Sequence, residues 1–357
     1  MKKKLFVLPT AQLGGAEQVL KMIAQNTTEE VHVFFFEEKK TDTWNIKNIN
    51  IHVGGQKSKL RNTLNFISFI IRQNYWDYIY TSHIYMTATV GLLIRLGILK
   101  KVFFIAREST TVFNRFSGIK LKSYRLMYKL GYPQVDLLIC QTEYMRNQLI
   151  EALPWLNKKI KIRTIPNPVN LDNMIEQSKS LNPFTLKQPY IISAGRLIPE
   201  KGFDILIKAF SKISSDYPQI NLVILGEGNE RSVLEKLILD LELQDKIFLP
   251  GFHSNVYPIF KEAELCVVSS RIEGFPNVLL QMMSQNTKVV STKCAGGIES
   301  INGVFTCETE NIDRLADAMR ECLSVSTDYF RDVFDVELKK RSISDFIYTV
   351  ENILMNE

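Results

Sequence analysis

At 357 residues, 45% of them hydrophobic and 23% charged, the chain has the composition of a soluble globular protein and is too long for one compact core, so two domains are expected. Its net charge of +6 hides an asymmetry: residues 1–172 carry +13 and residues 173–357 carry −7, and a basic half points to nucleic acid, anionic lipid or a phosphorylated substrate. Five scattered cysteines, odd in number and without a Cys-x-x-Cys pair, argue against a disulfide framework and a zinc site, and fit a reducing cytosol.

Lys2–Lys4 followed by Leu5–Leu8 imitates the start of a signal peptide, but the apolar part is too short and runs straight into a glycine turn. It reads as a first strand. The apolar stretch Val90–Leu99 is interrupted by Arg95 and is about half the length of a membrane span, so no transmembrane helix is expected. After the strand Lys4–Pro9, Thr10–Gly15 forms a glycine-containing turn into a helix with Val19, Leu20 and Ile23 on one face. Gly14-Gly15 suits close approach by a ligand, or simply a tight turn needing positive φ.

Strands are expected at Val31–Phe36, Ile49–Val53, Tyr78–Thr81, Val102–Ala106 and Leu137–Cys140, with helices such as Leu60–Gln73 and Thr87–Leu96 between them. Alternation of strands and helices implies a parallel, doubly wound sheet. His83 follows a strand and so falls on the ligand side of such a sheet, though a partly exposed structural histidine fits there too. Phe113–Tyr132 reads as one helix that interleaves Arg115, Lys120, Lys122, Arg125 and Lys129 with aromatic rings. Such a helix lies on an anionic membrane with its rings in the interface, or packs its apolar face on the sheet.

Ile165-Pro-Asn-Pro-Val-Asn170 and the polar stretch to Pro189 mark the domain boundary. Beyond it the strand Tyr190–Ala194, the turn Gly195-Arg196-Leu-Ile-Pro-Glu-Lys201-Gly202 and the helix Phe203–Ile213 repeat the β-turn-α unit of the N-terminus, now with two cations in the turn. Further strands are expected at Leu222–Leu225, ending in Gly226-Glu-Gly228, and at Lys246–Leu249, Leu265–Val268 and Lys288–Ser291, with helices at Glu230–Asp240, Val256–Lys261 and Ser342–Leu354. Ser269–Met283 places Glu273–Asn277 in a loop between a buried strand and a helix start, where free backbone N–H groups meet an anionic ligand and Glu273 can accept bonds from hydroxyls. Taken alone, this loop is better read as an ordinary strand-turn-helix corner with a solvated Glu.

Arg196 offers a bidentate fork and Lys201 a compact charge, a pairing suited to a diphosphate. No Asp-x-Asp pair occurs, so side chains and helix dipole, and no metal, are expected to neutralise that diphosphate. Neither Gly-x-Gly-x-x-Gly nor a Walker motif is present, which weakens dehydrogenase and ATPase readings.

Gly14-Gly15-Ala-Glu, Gly195-Arg196 with Lys201-Gly202, Gly226-Glu-Gly228 and Glu273-Gly-Phe-Pro-Asn-Val-Leu-Leu-Gln281 together resemble the retaining GT-B glycosyltransferases of family 4, the glycosyl transferases group 1, of the bacterial surface-polysaccharide type. The resemblance runs over nearly the whole chain and includes Asn167-Pro-Val-Asn170. It implies a GT-B fold: two Rossmann-like, doubly wound α/β domains facing each other across a cleft. Domains are then expected at 1–172 (acceptor binding), 190–341 (nucleotide-sugar binding) after a linker at 173–189, with 342–357 as a helix crossing back to the first domain.

By that resemblance Arg196 and Lys201 hold the donor diphosphate, Glu273 contacts the donor sugar, and these three are the catalytic group. The backbone of Gly274, Phe275, Pro276, Asn277 and Val278 serves sugar and phosphate, Gly15, Gly195 and Gly226 allow close approach, and His83 is a sugar or acceptor contact. Two departures stand out. The family's second Glu is Gln281, which still has an acceptor oxygen for ribose, and a histidine often found at 106–109 is replaced by Arg107 and Glu108. The expected activity is transfer of a hexose or N-acetylhexosamine, with retention, from a UDP-sugar to a polyprenyl-diphosphate-linked or growing surface glycan such as O-antigen, capsule or exopolysaccharide. The protein is expected at the inner face of the cytoplasmic membrane, held peripherally by Arg115, Lys120, Lys122, Arg125 and Lys129, with no metal cofactor and no nucleic acid. The alternatives are a nucleotide-sugar epimerase using His83 and Glu108 as acid and base, a non-catalytic sugar-binding protein, and a weakened paralogue serving as a complex subunit.

Overall fold

The computed structural model describes residues 2–12, 14–37, 44, 46, 48–55, 58–73, 75–110, 112–184, 188–326 and 330–356. The chain divides into two compact units, one made of Met1–Pro168 and Ile343–Glu357, the other of Val169–Ser342.

The first unit is built on β1 (Lys3–Thr10), β2 (Glu30–Glu37), β3 (Ile49–Val53), β4 (Trp76–Thr81), β5 (Lys101–Arg107), β6 (Leu137–Cys140) and β7 (Lys161–Thr164). These strands pair in parallel in the order β3-β2-β1-β4-β5-β6-β7. The order reverses between β1 and β4, so the carboxyl ends of those strands form the edge where ligands of open α/β sheets gather. Near-continuous apolar strands cover both faces: Leu5 and Val7 enter one core cluster, Phe6 and Leu8 the other. Phe346, Val350, Ile353 and Leu354 of the helix Ile343–Asn356 complete the second cluster beside Val19, Leu20 and Ile23 of the helix Gly15–Gln25. Lys4, buried in β1, reaches Glu29 at 3.1 Å and Glu351 at 3.4 Å and so ties that last helix to the sheet by charge as well as by burial.

The second unit carries β8 (Tyr190–Ala194), β9 (Asn221–Leu225), β10 (Ile247–Gly251), β11 (Leu265–Val268), β12 (Val289–Thr292) and β13 (Phe305–Cys307), parallel throughout, in the order β10-β9-β8-β11-β12-β13. Its reversal falls between β8 and β11. Both units are thus Rossmann-like α/β domains of doubly wound, parallel type.

Two local expectations are corrected, and two strands are added. The stretch 173–189 is not a bare linker in its described part: Asn170 caps the helix Leu171–Gln177 by accepting from the Asn173 N–H, and Val169 and Met174 join the second unit's core, with 185–187 outside the described residues. The single helix expected over Phe113–Tyr132 is broken into Val112–Arg115 and Gly118–Gly131, because Gly118 adopts a φ of 60° that a continuing helix does not allow. The strands β7 and β13 are additions that the sequence pattern does not announce.

Candidate functional site

In the second unit, β8 hands over to a turn packed backbone against backbone. Gly195 donates to the Leu225 carbonyl at 2.9 Å and Leu197 to that of Glu227 at 2.9 Å. A Cβ at Gly226 would strike the Gly195 carbonyl oxygen, and one at Gly228 the Leu197 carbonyl, which is why the two glycine motifs occur together. Gly226 therefore shapes the turn that carries Arg196. A short 3-10 turn, Pro199–Lys201, ends at Gly202 with φ 61°, and a Cβ there would collide with the Ser269 carbonyl of the loop after β11. Ser269 Oγ closes the junction by donating to the Lys201 carbonyl at 3.0 Å.

That junction brings two of the sequence candidates together. The Lys201 ammonium is ion-paired with Glu273 Oε1, which also accepts from Ser270 Oγ at 3.0 Å, while the Glu273 N–H donates to the Cys294 carbonyl at 2.8 Å. Lys201 and Glu273 are each partly buried. Arg196, five residues before Lys201 on the same turn, is exposed, and its side chain makes no ion pair or hydrogen bond among the described residues. Gly274, Phe275 and Pro276 are buried, and the helix Asn277–Gln285 starts directly after them, with Asn277 and Val278 at its first turn. Phe275 packs into the core under the Arg341 guanidinium, 5.0 Å from its ring centre. Gln281 is half-buried and donates to the Tyr257 hydroxyl at 3.4 Å, a partner not anticipated from the sequence; burial raises the pKa of that tyrosine.

Arg271 is a residue that sequence reasoning missed. It grips Asp204 through two bonds of 2.8 Å, pairs with Glu310, donates to the Pro199 carbonyl at 2.6 Å and bonds through its own N–H to the Glu200 carbonyl at 2.8 Å. The hydrogen bonds to Asp204 raise its pKa against the effect of burial. Burial opposes ionisation of Asp204, but the bonds from Arg271 prevail and hold its carboxyl below the usual range. Arg271 thus fixes the Glu273 loop against the Lys201 turn without itself lying among the candidates. Its only sequence signal is a cation two residues before Glu273.

In the first unit, Gly15 opens the helix Gly15–Gln25, and the turn before it is satisfied internally. The Gly14 N–H donates to Glu17 Oε2 at 3.1 Å, and Glu17 Oε1 stands 3.2 Å from His83 Nε2. Ser82 Oγ lies 3.2 Å from His83 Nδ1, so both ring nitrogens are engaged. Beside them, Arg107 at the end of β5 is buried and bonded to Asn167 Oδ1, Asn167 donates to Gln141 at 3.1 Å, and Gln141 donates to the Glu108 carbonyl at 2.8 Å. The Arg107 Nε and Nη1 atoms find no hydrogen-bond partner among the described residues, and burial lowers its pKa to about 10 with Glu17 opposing. The Glu108 carboxyl is buried, accepts from the Tyr132 hydroxyl at 3.1 Å, and is pushed up to about 7 by burial. A substrate-facing acid/base pair of His83 and Glu108, which an epimerase would need, is not assembled: Glu108 is only 3% exposed.

Arg115, Lys120, Lys122, Arg125 and Lys129 are all exposed. The rings expected beside them in a membrane interface are turned inward instead: Tyr128 is buried and Phe113, Phe116 and Tyr124 pack against the core, with Lys120 Nζ lying 4.0 Å from the Phe116 ring centre. Among the described residues no group of three His, Cys, Asp or Glu side chains is placed to hold a metal ion, and no helix is long and apolar enough to cross a membrane.

Residues 174–331 match the family of glycosyl transferases group 1. Over 244 residues the chain is 30% identical to an uncharacterized glycosyltransferase of Methanocaldococcus jannaschii, covering 65% of this chain and 59% of that protein. Over 190 residues it is 32% identical to the N-acetylgalactosamine-N,N'-diacetylbacillosaminyl-diphospho-undecaprenol 4-alpha-N-acetylgalactosaminyltransferase of Campylobacter jejuni, covering 53% of this chain and 49% of that protein. The chain therefore spans about half to three-fifths of the length of these curated relatives. Among solved structures, Anabaena HepE in complex with UDP superimposes with a TM-score of 0.79 at 19% identity, covering 100% of both chains. That likeness is one of fold, and the two Rossmann-like domains are those of the GT-B class.

Proposed function

We propose that the protein is a retaining glycosyltransferase that moves a hexose or N-acetylhexosamine from a UDP-sugar to a polyprenyl-diphosphate-linked or growing surface glycan at the inner face of the cytoplasmic membrane. The observation that carries this reading is the pairing of Lys201 with Glu273 at the carboxyl ends of β8 and β11, with the exposed Arg196 on the same turn and the start of the helix Asn277–Gln285 after the same loop. A diphosphate entering there meets a fork, a point charge and a helix N-terminus. Glu273 then exchanges the Lys201 ammonium for sugar hydroxyls. The match of residues 174–331 to the group 1 transferases supports the assignment of the reaction class.

In the reaction, the bond from the anomeric carbon to the diphosphate oxygen breaks while the acceptor oxygen bonds to that carbon on the same face. The acceptor proton passes to the departing diphosphate. Arg196 and Lys201 stabilise the charge that grows on the leaving group, a role for fixed cations that requires no metal ion. UDP as nucleotide is supported by the UDP complex of the Anabaena neighbour, and a lipid-diphosphate acceptor by the name of the Campylobacter relative. The exposed basic residues of 115–129 suit the anionic surface on which such an acceptor resides.

A panel of nucleotide sugars tested for thermal stabilisation checks the donor. Ligand at 100 times its Kd adds about 2.7 kcal/mol to the folded state, so a UDP-sugar should raise the melting temperature where GDP- and CMP-sugars do not. Stabilisation by none of them, together with absence of transfer to a polyprenyl-diphosphate glycan, would overturn the reading.

A further inference from the structure

Two exposed apolar stripes on the first unit are left unused by the function above. On the helix Ile84–Arg95 and the residue after it, Tyr85, Leu92 and Leu96 recur at intervals of seven and four. On Gly118–Gly131, Ile119, Leu126 and Leu130 recur at the same intervals. Such spacing puts each set on one helix face. All six residues are exposed, Ile119 by 87%, Leu96 by 62% and Leu126 by 55%. The helices that carry the stripes cross in backbone contact: a Cβ at Gly91 would strike the Gly131 carbonyl, and one at Gly131 would strike Ala88. Leu92 follows the first of those glycines and Leu130 precedes the second.

The charge around this face selects its occupant. Residues 84–135 hold nine Lys and Arg but a single acid, Glu108, which is buried. Arg95 and Lys100 flank one stripe, Lys122, Arg125 and Lys129 the other, and all five are exposed. Aliphatic side chains at the centre with cations at the rim, spread over two helices, complement a bilayer of anionic lipids, whose headgroups take the charge and whose acyl boundary takes the aliphatics.

We infer that the helices Ile84–Arg95 and Gly118–Gly131 form one membrane-inserting face, in which Leu96, Ile119, Leu126 and Leu130 enter the bilayer boundary and the surrounding cations hold its headgroups. The inference rests on the membrane-bound acceptor of the proposed function and changes its physical basis from adsorption by charge to shallow insertion. It also gives the face a direction. Tyr85, at one end of its stripe, lies 5.9 Å ring to ring from His83, so the stripe begins at the sheet edge formed by His83 and Glu17. A lipid-anchored acceptor then meets that edge from the side of the bilayer.

The test uses the full chain and vesicles of phosphatidylglycerol and phosphatidylethanolamine. In about 1 M salt, where the screening length falls to about 3 Å, part of the wild-type protein should stay bound. The combined change Leu96→Ser, Ile119→Ser and Leu126→Ser should lower that salt-resistant fraction about tenfold, as expected for lost apolar burial, while UDP binding measured by calorimetry stays unchanged. Replacing Lys122, Arg125 and Lys129 by Gln should instead lower the salt-sensitive part and leave the salt-resistant fraction in place. In a separate variant, Leu126→Trp, vesicles carrying brominated acyl chains should quench the fluorescence that the substitution adds to the wild-type signal. Complete release of the wild type by salt, an unaltered salt-resistant fraction in the Ser variant, or added fluorescence that the brominated chains leave unquenched would each overturn insertion. So would a wild-type dimer that the Ser variant dissolves, since that assigns the face to a second copy. None of these readouts depends on the donor, so a failure here is separate from failure of the transferase reading.

Discussion

The two units begin with the same β-turn-α device, yet they dispose of charge in opposite ways. In the first, the glycine turn supplies its own anion: Glu17 binds the Gly14 N–H and the His83 ring, and the neighbouring Arg107 is buried in an amide network with Asn167 and Gln141. In the second, no side chain caps the helix that follows the turn, the first-turn carboxylate Asp204 is occupied by Arg271, and Arg196 is exposed. A turn that already holds a carboxylate has little to offer an anionic ligand. A turn with an exposed cation and a second cation held by one replaceable carboxylate has much to offer. Under the proposed function, diphosphate chemistry falls to the second unit, and the first keeps its edge and the membrane face inferred for it.

The largest effect that would break this assignment is expected at Glu273. Glu273→Ala should lower transfer on the order of 1,000-fold, the upper range for loss of one charged transition-state contact, while UDP alone still binds. Calorimetric titration with UDP separates the two: loss of UDP binding in this variant would move Glu273 from the sugar to the nucleotide.

Next come the cations. Arg196→Ala or Lys201→Ala should each reduce kcat by about 100-fold with the fold intact, the scale of removing one stabilising group from a developing charge. Chelation by EDTA should leave the wild type unaffected. Activity lost in EDTA and restored by magnesium or manganese would show that the two cations do not suffice, and would remove the contrast between the turns.

Much of this contrast is legible in the sequence, and what is not has a physical cause. Lys201 and Glu273 are readable because each follows a short apolar strand, and parallel strands deliver the residues after them to one edge. Arg271 is not, because its partners Asp204 and Glu310 lie 67 and 39 positions away in the chain and no local pattern links them. The strand β7, Lys-Ile-Arg-Thr, is hidden because as an edge strand it buries one residue, Ile162, and reads as polar. Leu171–Gln177 reads as linker because a seven-residue helix that buries only Met174 leaves almost no period to detect; its Asn170 cap is the available signal. The aromatic residues of 113–128 carry the correct helical spacing but not the direction of the face, which depends on the core beneath them and on the break at Gly118.

The smallest effect expected concerns the buried network of the first unit. Burial raises the Glu108 carboxyl to about 7, with hydrogen bonds from Tyr128 and Tyr132 working against that shift. Its pKa in the folded protein therefore lies above its unfolded value of about 4.3. A raised carboxyl contributes stability that is fully present below the unfolded value and is lost as pH rises through the folded one, since unfolding then lets the group ionise in water. Linkage puts the loss at about 2 kcal/mol between pH 5 and pH 7. Arg107 adds nothing to this slope, because a guanidinium lowered to about 10 stays protonated across the window. Glu108→Gln keeps an acceptor for Tyr132 but cannot ionise, so the difference between variant and wild type isolates this one group from every other titrating residue. Urea unfolding at pH 5 and pH 7 should show the variant gaining about 2 kcal/mol relative to the wild type at the higher pH. An equal response of both proteins would mean that Glu108 ionises as freely folded as unfolded, and that the polar network of the first unit is open to water rather than closed in the way that separates it from the second.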